Sequence, residues 1–161
     1  MSADLVYMDG EFRPANEAVV AWDDRAVLYG LGVFETVRVV GGRAFLADRH
    51  LARFKRGATR LDVTPPEFDL ARVVASLAER NGVDQRAAKI LATRGPEPET
   101  ATSPGHLFVS VGTAPDPEPT PARAVLLSIS EGGLRPIAGV KSLSYLPNYL
   151  ARYEARAQGA D

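Results

Sequence analysis

In Ala138-Gly139-Val140-Lys141-Ser142-Leu143-Ser144-Tyr145-Leu146-Pro147-Asn148-Tyr149-Leu150-Ala151-Arg152 a single lysine stands between an apolar run and the start of a helix. The helix is predicted from about Pro147 to Ala157, with Leu146, Leu150, Tyr153 and Ala157 on one face and Gly159 as its C-terminal cap. Lys141 belongs to neither apolar pattern. By spacing alone it is a surface lysine, the usual fate of that residue. It can also do chemistry. Desolvation or neighbouring cations lower the pKa of a lysine amine, and the neutral amine is a nucleophile and a base near pH 7.

Upstream of this stretch, Ala124 to Ser130 reads as an apolar strand and Glu131-Gly132-Gly133 as a turn. Before them, Ala114-Pro115-Asp116-Pro117-Glu118-Pro119-Thr120-Pro121 alternates prolines. Such a segment is stiff and extended and cannot join a central strand. A domain border there gives an N-terminal α+β domain over 1–114, a proline-rich linker over 115–122 and a second unit over 123–161. One strand and one helix are too little to enclose a core, so the last unit is expected to be the incomplete start of a larger domain.

Within the first domain, Leu5 to Met8 followed by Asp9-Gly10 predicts a strand entering a hairpin. Val33 to Val40 alternates, with Val33, Glu35, Val37 and Val39 on one side and Phe34, Thr36, Arg38 and Val40 on the other. Gly41-Gly42 turns this strand into Arg43 to Leu46. Asp48 is placed as the N-cap of a helix over Arg49 to Leu61, its apolar stripe Leu51, Phe54, Ala58 and Leu61. Arg49, Arg53, Arg56 and Arg60 lie opposite that stripe, as a solvated basic face would. Pro65-Pro66 opens a second helix, Glu67 to Arg80, which Asn81-Gly82 stops. Ala87 to Thr93 and His106 to Val111 read as strands, with a polar loop from Gly95 to Pro104 between them.

Composition narrows the chemistry. The 161 residues are 45% hydrophobic and carry a net charge of −1, which gives no electrostatic case for a nucleic-acid partner. The absence of cysteine excludes disulfides, thiolate zinc sites and a cysteine nucleophile. His50 and His106 are far apart in sequence, so no His-rich metal site is expected, while a carboxylate site is left open. No long apolar span or signal-like N-terminus is present, which makes a cytoplasmic location the default and a membrane partner unexpected.

The Lys141 segment closely resembles the cofactor-lysine segment of the class IV (fold type IV) pyridoxal-phosphate enzymes. These include branched-chain and D-amino acid aminotransferases and 4-amino-4-deoxychorismate lyases. Two further blocks carry the resemblance. Tyr29-Gly30-Leu31-Gly32-Val33-Phe34-Glu35-Thr36-Val37-Arg38 is similar to the early family signature, and Asp48-Arg49-His50-Leu51-Ala52-Arg53-Phe54 to its His-x-x-Arg helix. Lys89-Ile90-Leu91-Ala92-Thr93-Arg94-Gly95 resembles the family strand ending in Thr-Arg-Gly. Gly30 and Gly32 suggest a phosphate loop on a first reading, but they lead into a strand rather than a helix and more simply permit a tight approach.

The resemblance implies an α+β chain: the N-terminal sandwich-like domain of the D-amino acid aminotransferase-like fold and the beginning of a larger domain. It implies pyridoxal 5'-phosphate as cofactor, held by Lys141 as a Schiff base, with Arg53 on the phosphate and Tyr145 near the phenolic oxygen. Tyr29, Phe34, Arg38 and Arg94 become substrate-binding residues, and His50 an orienting or core residue. The implied activity is amino-group transfer between a small amino acid and a 2-oxo acid, in a homodimer. Lyase chemistry on aminodeoxychorismate is the alternative. Leu31, where many members carry aspartate, is more like some bacterial lyases. Family members continue well past Asp161, into the segment that holds the pyridine-nitrogen carboxylate. The 161-residue chain alone is therefore expected to be inactive, and a non-catalytic fragment or dimerisation half is the rival reading.

Overall fold

Asp9 and Gly10 both take positive φ, 51° and 103°, and fold β1 (Leu5–Met8) back onto β2 (Glu11–Pro14) as the Asp-Gly pair predicts. The protein is seen here as a computed structural model that describes residues 4–82, 86–97, 104–112, 122–127 and 139–160. The expected alternation holds in β3 (Gly32–Val40): Val33, Glu35, Val37 and Val39 are buried, while Thr36 and Val40 are exposed. Gly41 and Gly42 turn the chain into β4 (Arg43–Ala44), shorter than the sequence indicates, because Phe45 and Leu46 already turn toward the next helix.

A short helix, α1 (Arg25–Tyr29), precedes β3 and was not expected from the sequence. The Asp24 carboxylate caps it, accepting from the Ala26 amide at 2.7 Å. Arg25 ties it to the loop after the fifth strand, its Nε donating to the Gly95 carbonyl at 2.9 Å.

Two long helices differ from expectation at their starts. In α2 (Ala47–Arg60) the N-cap is Leu46, in left-handed conformation, and Asp48 lies within the first turn. There its carboxylate still favours the helix through the dipole. α3 (Leu70–Asn81) begins at Asp69, whose carboxylate accepts from the Arg72 amide at 3.0 Å. The expected start at Glu67 fails because Asp69 supplies the cap, while Glu67 is drawn to Lys55 at 2.9 Å. Gly82, at φ 66°, closes α3 as predicted.

With β5 (Arg86–Thr93) and β6 (Leu107–Gly112) the strands form one six-stranded sheet, order β2-β1-β6-β5-β3-β4, every pairing antiparallel. α2 and α3 supply the other side of the core. Phe54, Val74 and Leu77 meet Val37, Ile90 and Val109, all fully or almost fully buried. Each such side chain contributes roughly 1.5–3 kcal/mol. The opposite sheet face carries Phe34, Thr36 and Arg38 of β3 in register with Leu91, Lys89 and Ala87 of β5. This second face is where the site lies.

α4 (Leu146–Ala157) forms where predicted, with Pro147 in its first turn. Its apolar stripe does not become core: Leu146, Leu150 and Tyr153 are 64%, 55% and 71% exposed. Of the strand expected over Ala124 to Ser130, residues 124–127 are described and belong to no strand. Its remainder, the Glu131-Gly132-Gly133 turn and nearly all of the proline linker lie outside the described residues. No helix among the described residues is long and apolar enough to cross a membrane.

Candidate active site

β4 pairs with β3 only at Val39 and Val40, which leaves the Gly32–Phe34 end of that edge without a neighbouring strand. The Lys141 segment takes the vacant place. The Phe34 amide donates to the Lys141 carbonyl at 2.9 Å, the Leu143 amide donates to the Gly32 carbonyl at 2.9 Å, and Val33 and Ser142 form an antiparallel bridge. The Ser144 hydroxyl donates to the Gly30 carbonyl at 3.3 Å.

The glycines explain how the approach is possible. A Cβ on Gly32 would lie 2.5 Å from both Leu143 Cδ1 and the Ala92 carbonyl oxygen, and one on Gly30 would lie 2.7 Å from Ser144 Oγ. Gly30 also needs φ 70° as it closes α1. The tight approach read from the sequence is therefore made by the lysine segment. On the helix side, a Cβ on Gly57 of α2 would lie 3.5 Å from Val140, the residue before Lys141.

Seated this way, Lys141 is half-buried, with Nζ 3.9 Å from the centroid of the Phe34 ring. It opens on a cavity of about 360 Å³. Phe34, Leu91 and Leu143 give it apolar walls, and Thr36, Lys89 and Tyr145 give it polar ones. The Tyr145 ring stands edge-on to Phe34, centroids 5.4 Å apart. Burial holds the Lys141 amine below the ordinary lysine pKa; the Glu35 carboxylate opposes this, and the Arg53 and Lys89 charges add to it.

Glu35 lies beneath this arrangement, its side chain wholly buried on the core face of β3. Arg53 of α2 clamps it bidentately, Nε to Oε1 and Nη2 to Oε2, both at 2.8 Å. His50 Nδ1 lies 2.6 Å from Oε2. Burial alone would raise the Glu35 pKa; the hydrogen bonds and charges of Arg53 and His50 outweigh it and hold the carboxyl below its usual value. The Arg53 guanidinium is held above its own ordinary value by the same contact. Arg53 and Gly57 are one helical turn apart, so the face of α2 that receives Val140 also presents Arg53.

Of the site residues read from the sequence, Lys141, Phe34 and Tyr145 line one cavity; Arg53 is not among the lining residues, but is held on Glu35, on the other face of β3, close enough for its charge to lower the Lys141 pKa. Arg38 lies on the cavity's sheet face, beyond Thr36. Tyr29 ends α1, is 64% exposed, and is not among the lining residues. Arg94 points elsewhere: Nη1 donates to the Leu61 carbonyl at 3.1 Å and Nη2 to the Asp62 carboxylate, bracing the end of α2. Two residues of this arrangement went unread in the sequence, Glu35 beneath the site and Lys89 in the cavity wall. A charge in the buried register of an otherwise apolar strand signals Glu35, because a buried carboxylate requires a cation. Lys89 is marked only by its pairing opposite Thr36.

Among the described residues no cluster of histidine, aspartate or glutamate could hold a metal ion. The donor set is of another kind. An amine of lowered pKa and a phenol on one cavity, with a guanidinium close enough for its charge to act on that amine, are what a phosphorylated aldehyde would use: the amine for its carbonyl, the guanidinium for its phosphate and the phenol for a ring oxygen.

The model of the family described as amino-transferase class IV matches residues 32–161. The D-alanine aminotransferase of Staphylococcus haemolyticus is 35% identical over 101 residues, 62% of this chain and 36% of that protein. A bifunctional aminodeoxychorismate lyase / D-amino acid transaminase of Mycobacterium tuberculosis is 30% identical over 176 residues, 97% of this chain and 58% of that protein. A solved hypothetical aminotransferase from Mycobacterium tuberculosis, in its PLP-bound form, superposes with a TM-score of 0.76 at 30% identity, covering 97% of this chain and 59% of that one. The α+β architecture is thus that of the N-terminal part of such chains, and this chain spans between about a third and three-fifths of their length.

Proposed function

The chain belongs to the class IV aminotransferase family, and on that premise we propose that Lys141 holds pyridoxal 5'-phosphate for amino-group transfer between a small amino acid and a 2-oxo acid. The observation that carries this reading is the seating of Lys141 on the edge of β3, its amine of lowered pKa opening on a cavity and lying within the electrostatic reach of Arg53. When bound, the cofactor supplies the electron sink that makes the α-proton of an amino acid removable.

The remaining tasks fall to the chain. The Lys141 amine would hold the aldehyde carbon of the cofactor and, once free, would serve as the base for the α-proton of the substrate. Burial lowers its pKa and so favours the neutral form relative to an ordinary lysine. The guanidinium of Arg53 binds phosphate, and the Tyr145 hydroxyl holds a ring oxygen. Phe34, Leu91 and Leu143 exclude water from the amine. Arg38, on the same sheet face, offers a cation to a substrate carboxylate. Residues 123–161 are part of this proposal as the start of the cofactor-binding domain.

A second reading, release of pyruvate and 4-aminobenzoate from aminodeoxychorismate, is favoured by one observation. The bifunctional relative matches 97% of this chain. Both activities use the same lysine, so the assay must separate them. Pyruvate formed from aminodeoxychorismate without any 2-oxo acid acceptor supports the lyase. Amino transfer that requires a 2-oxo acid supports the transaminase. Failure of purified protein to take up pyridoxal phosphate would remove both.

A further inference from the structure

A glutamate in the buried register of β3 is an expensive choice. Val33, Val37 and Val39 fill the same face, and an apolar residue at 35 would pack beside them without desolvating a charge. The carboxylate is instead satisfied by two side chains of one helix, Arg53 and His50, a turn apart on α2. The Arg53 fork is held along the edge bearing Nε and Nη2, while its side chain remains 50% exposed. The Nη1 corner has no hydrogen-bond partner among the described residues. Two parallel hydrogen bonds fix both the plane and the direction of a guanidinium, which a flexible arginine on a solvated helix face lacks. Among the described residues, Arg49 and Arg56 make no such contact with a buried carboxylate on the sheet.

We infer that Glu35 is a positioning residue, whose buried carboxylate aims the free corner of Arg53 at a phosphate monoester bound beside Lys141. This inference rests on the cofactor reading above and deepens it. A stable phosphate site needs its cation in place before the ligand arrives, because ordering a long side chain on binding lowers affinity. Glu35 fulfils that requirement from the core side, where no ligand can displace it. His50 holds the second lone pairs of the same oxygen and keeps the carboxylate from turning.

The test compares two ligands that differ only in the phosphate. Affinities of the purified protein for pyridoxal phosphate and for pyridoxal are measured by absorbance titration for wild type, Glu35→Gln, Arg53→Gln and the double variant. The expected result is a loss of about tenfold or more in pyridoxal phosphate affinity for Glu35→Gln, in line with one charge-assisted contact, and no change beyond twofold for pyridoxal. The double variant should be no weaker than Arg53→Gln alone. If Arg53→Gln leaves the preference for the phosphorylated ligand intact, the cofactor reading of Arg53 fails. If Arg53→Gln abolishes the preference but Glu35→Gln keeps it, the cofactor reading stands and the positioning role is overturned. Equal losses for both ligands would reduce Glu35 to a structural ion pair. Should Glu35→Gln fold poorly, Glu35→Asp keeps the charge and shortens its reach. A retained preference in that variant overturns the role, and a lost one supports it.

Discussion

Gly32 and Leu143 meet where β3 has no strand beside it: the Leu143 amide donates to the Gly32 carbonyl at 2.9 Å, and a Cβ on Gly32 would lie 2.5 Å from Leu143 Cδ1. The same Cβ would lie 2.5 Å from the Ala92 carbonyl oxygen of the neighbouring strand. One small residue therefore serves two neighbours, the sheet on one side and the lysine segment on the other.

Gly32→Ala is expected to cost about 1–3 kcal/mol by overpacking. Leu143 can swing aside, but the Ala92 carbonyl is backbone and cannot. Adding Leu143→Ala should accordingly recover only part of the loss. Urea denaturation of the single and double variants measures both; full recovery would place the clash with Leu143 alone.

Borohydride reduction of protein loaded with pyridoxal phosphate should leave the pyridoxyl label on Lys141. Peptide mapping distinguishes it from Lys55, which is engaged by Glu67, and from Lys89. Label on Lys89 would reassign the chemistry to the other amine of the same cavity.

The pH at which Lys141 begins to react with an amine reagent follows from its surroundings. Burial and the Arg53 and Lys89 charges lower its pKa, so its reaction should begin at lower pH than that of a free lysine side chain. Lys89→Met removes a like charge and should move the onset up, whereas Glu35→Gln removes the attracting charge and should move it down. The same shift has a sign in stability. A lysine depressed in the folded state contributes stability fully present above its unfolded value, and that contribution is lost as pH falls through the folded value. An onset for Lys141 equal to that of a free lysine side chain would contradict the described environment.

Loss of Arg53 should weaken pyridoxal phosphate affinity by about ten- to hundredfold, the worth of roughly 1.5–3 kcal/mol for a charge-assisted contact. Arg56→Gln and Arg60→Gln should change it little. Equal small effects for all three would return Arg53 to the solvated face that the helical spacing suggests.

Breaking the buried pair from opposite ends should not be equivalent. Arg53→Ala strands the Glu35 carboxylate in the core and should destabilise by about 3 kcal/mol, somewhat less where water enters through the exposed half of the site. Glu35→Leu removes the buried charge, leaves Arg53 to solvent and should cost less. The Glu35 pKa is held low in the folded state, so its contribution is present above the unfolded value near 4.5 and lost as pH falls through the folded one. Acid unfolding followed by circular dichroism should show that limb in wild type and a flatter one in Glu35→Leu.

Strand alternation in β3, the Asp9-Gly10 hairpin and the Gly82 stop are local patterns, and each is legible from a few neighbouring residues. Arg53 is not. At helical spacing it matches Arg49, Arg56 and Arg60, and what separates it is the buried acid on a strand it crosses in space. The start of α3 was misplaced because two prolines and an acid make a good helix opening on paper, while Asp69 has the better cap in fact. At five residues α1 is too short to show a period. Arg94 sits in a recognisable Thr-Arg-Gly block, yet its guanidinium braces Leu61 and Asp62, a destination set by the packing of α2.

The lysine segment is fastened to a turn far upstream, just before β3, as the Ser144 to Gly30 hydrogen bond joins residues 114 positions apart. Closing so long a loop is entropically late work, since nothing rewards it until β3 and α2 already exist to receive it. Assembly order thus separates the scaffold from its reactivity. The amides of Leu143 and Phe34 should exchange with solvent through openings that leave Ile90 and Val109 protected, because the bridge can detach without the sheet dissolving. Until it attaches, Lys141 is an ordinary protonated amine in water, and the chain passes through its vulnerable half-built stages with no activated nucleophile on display.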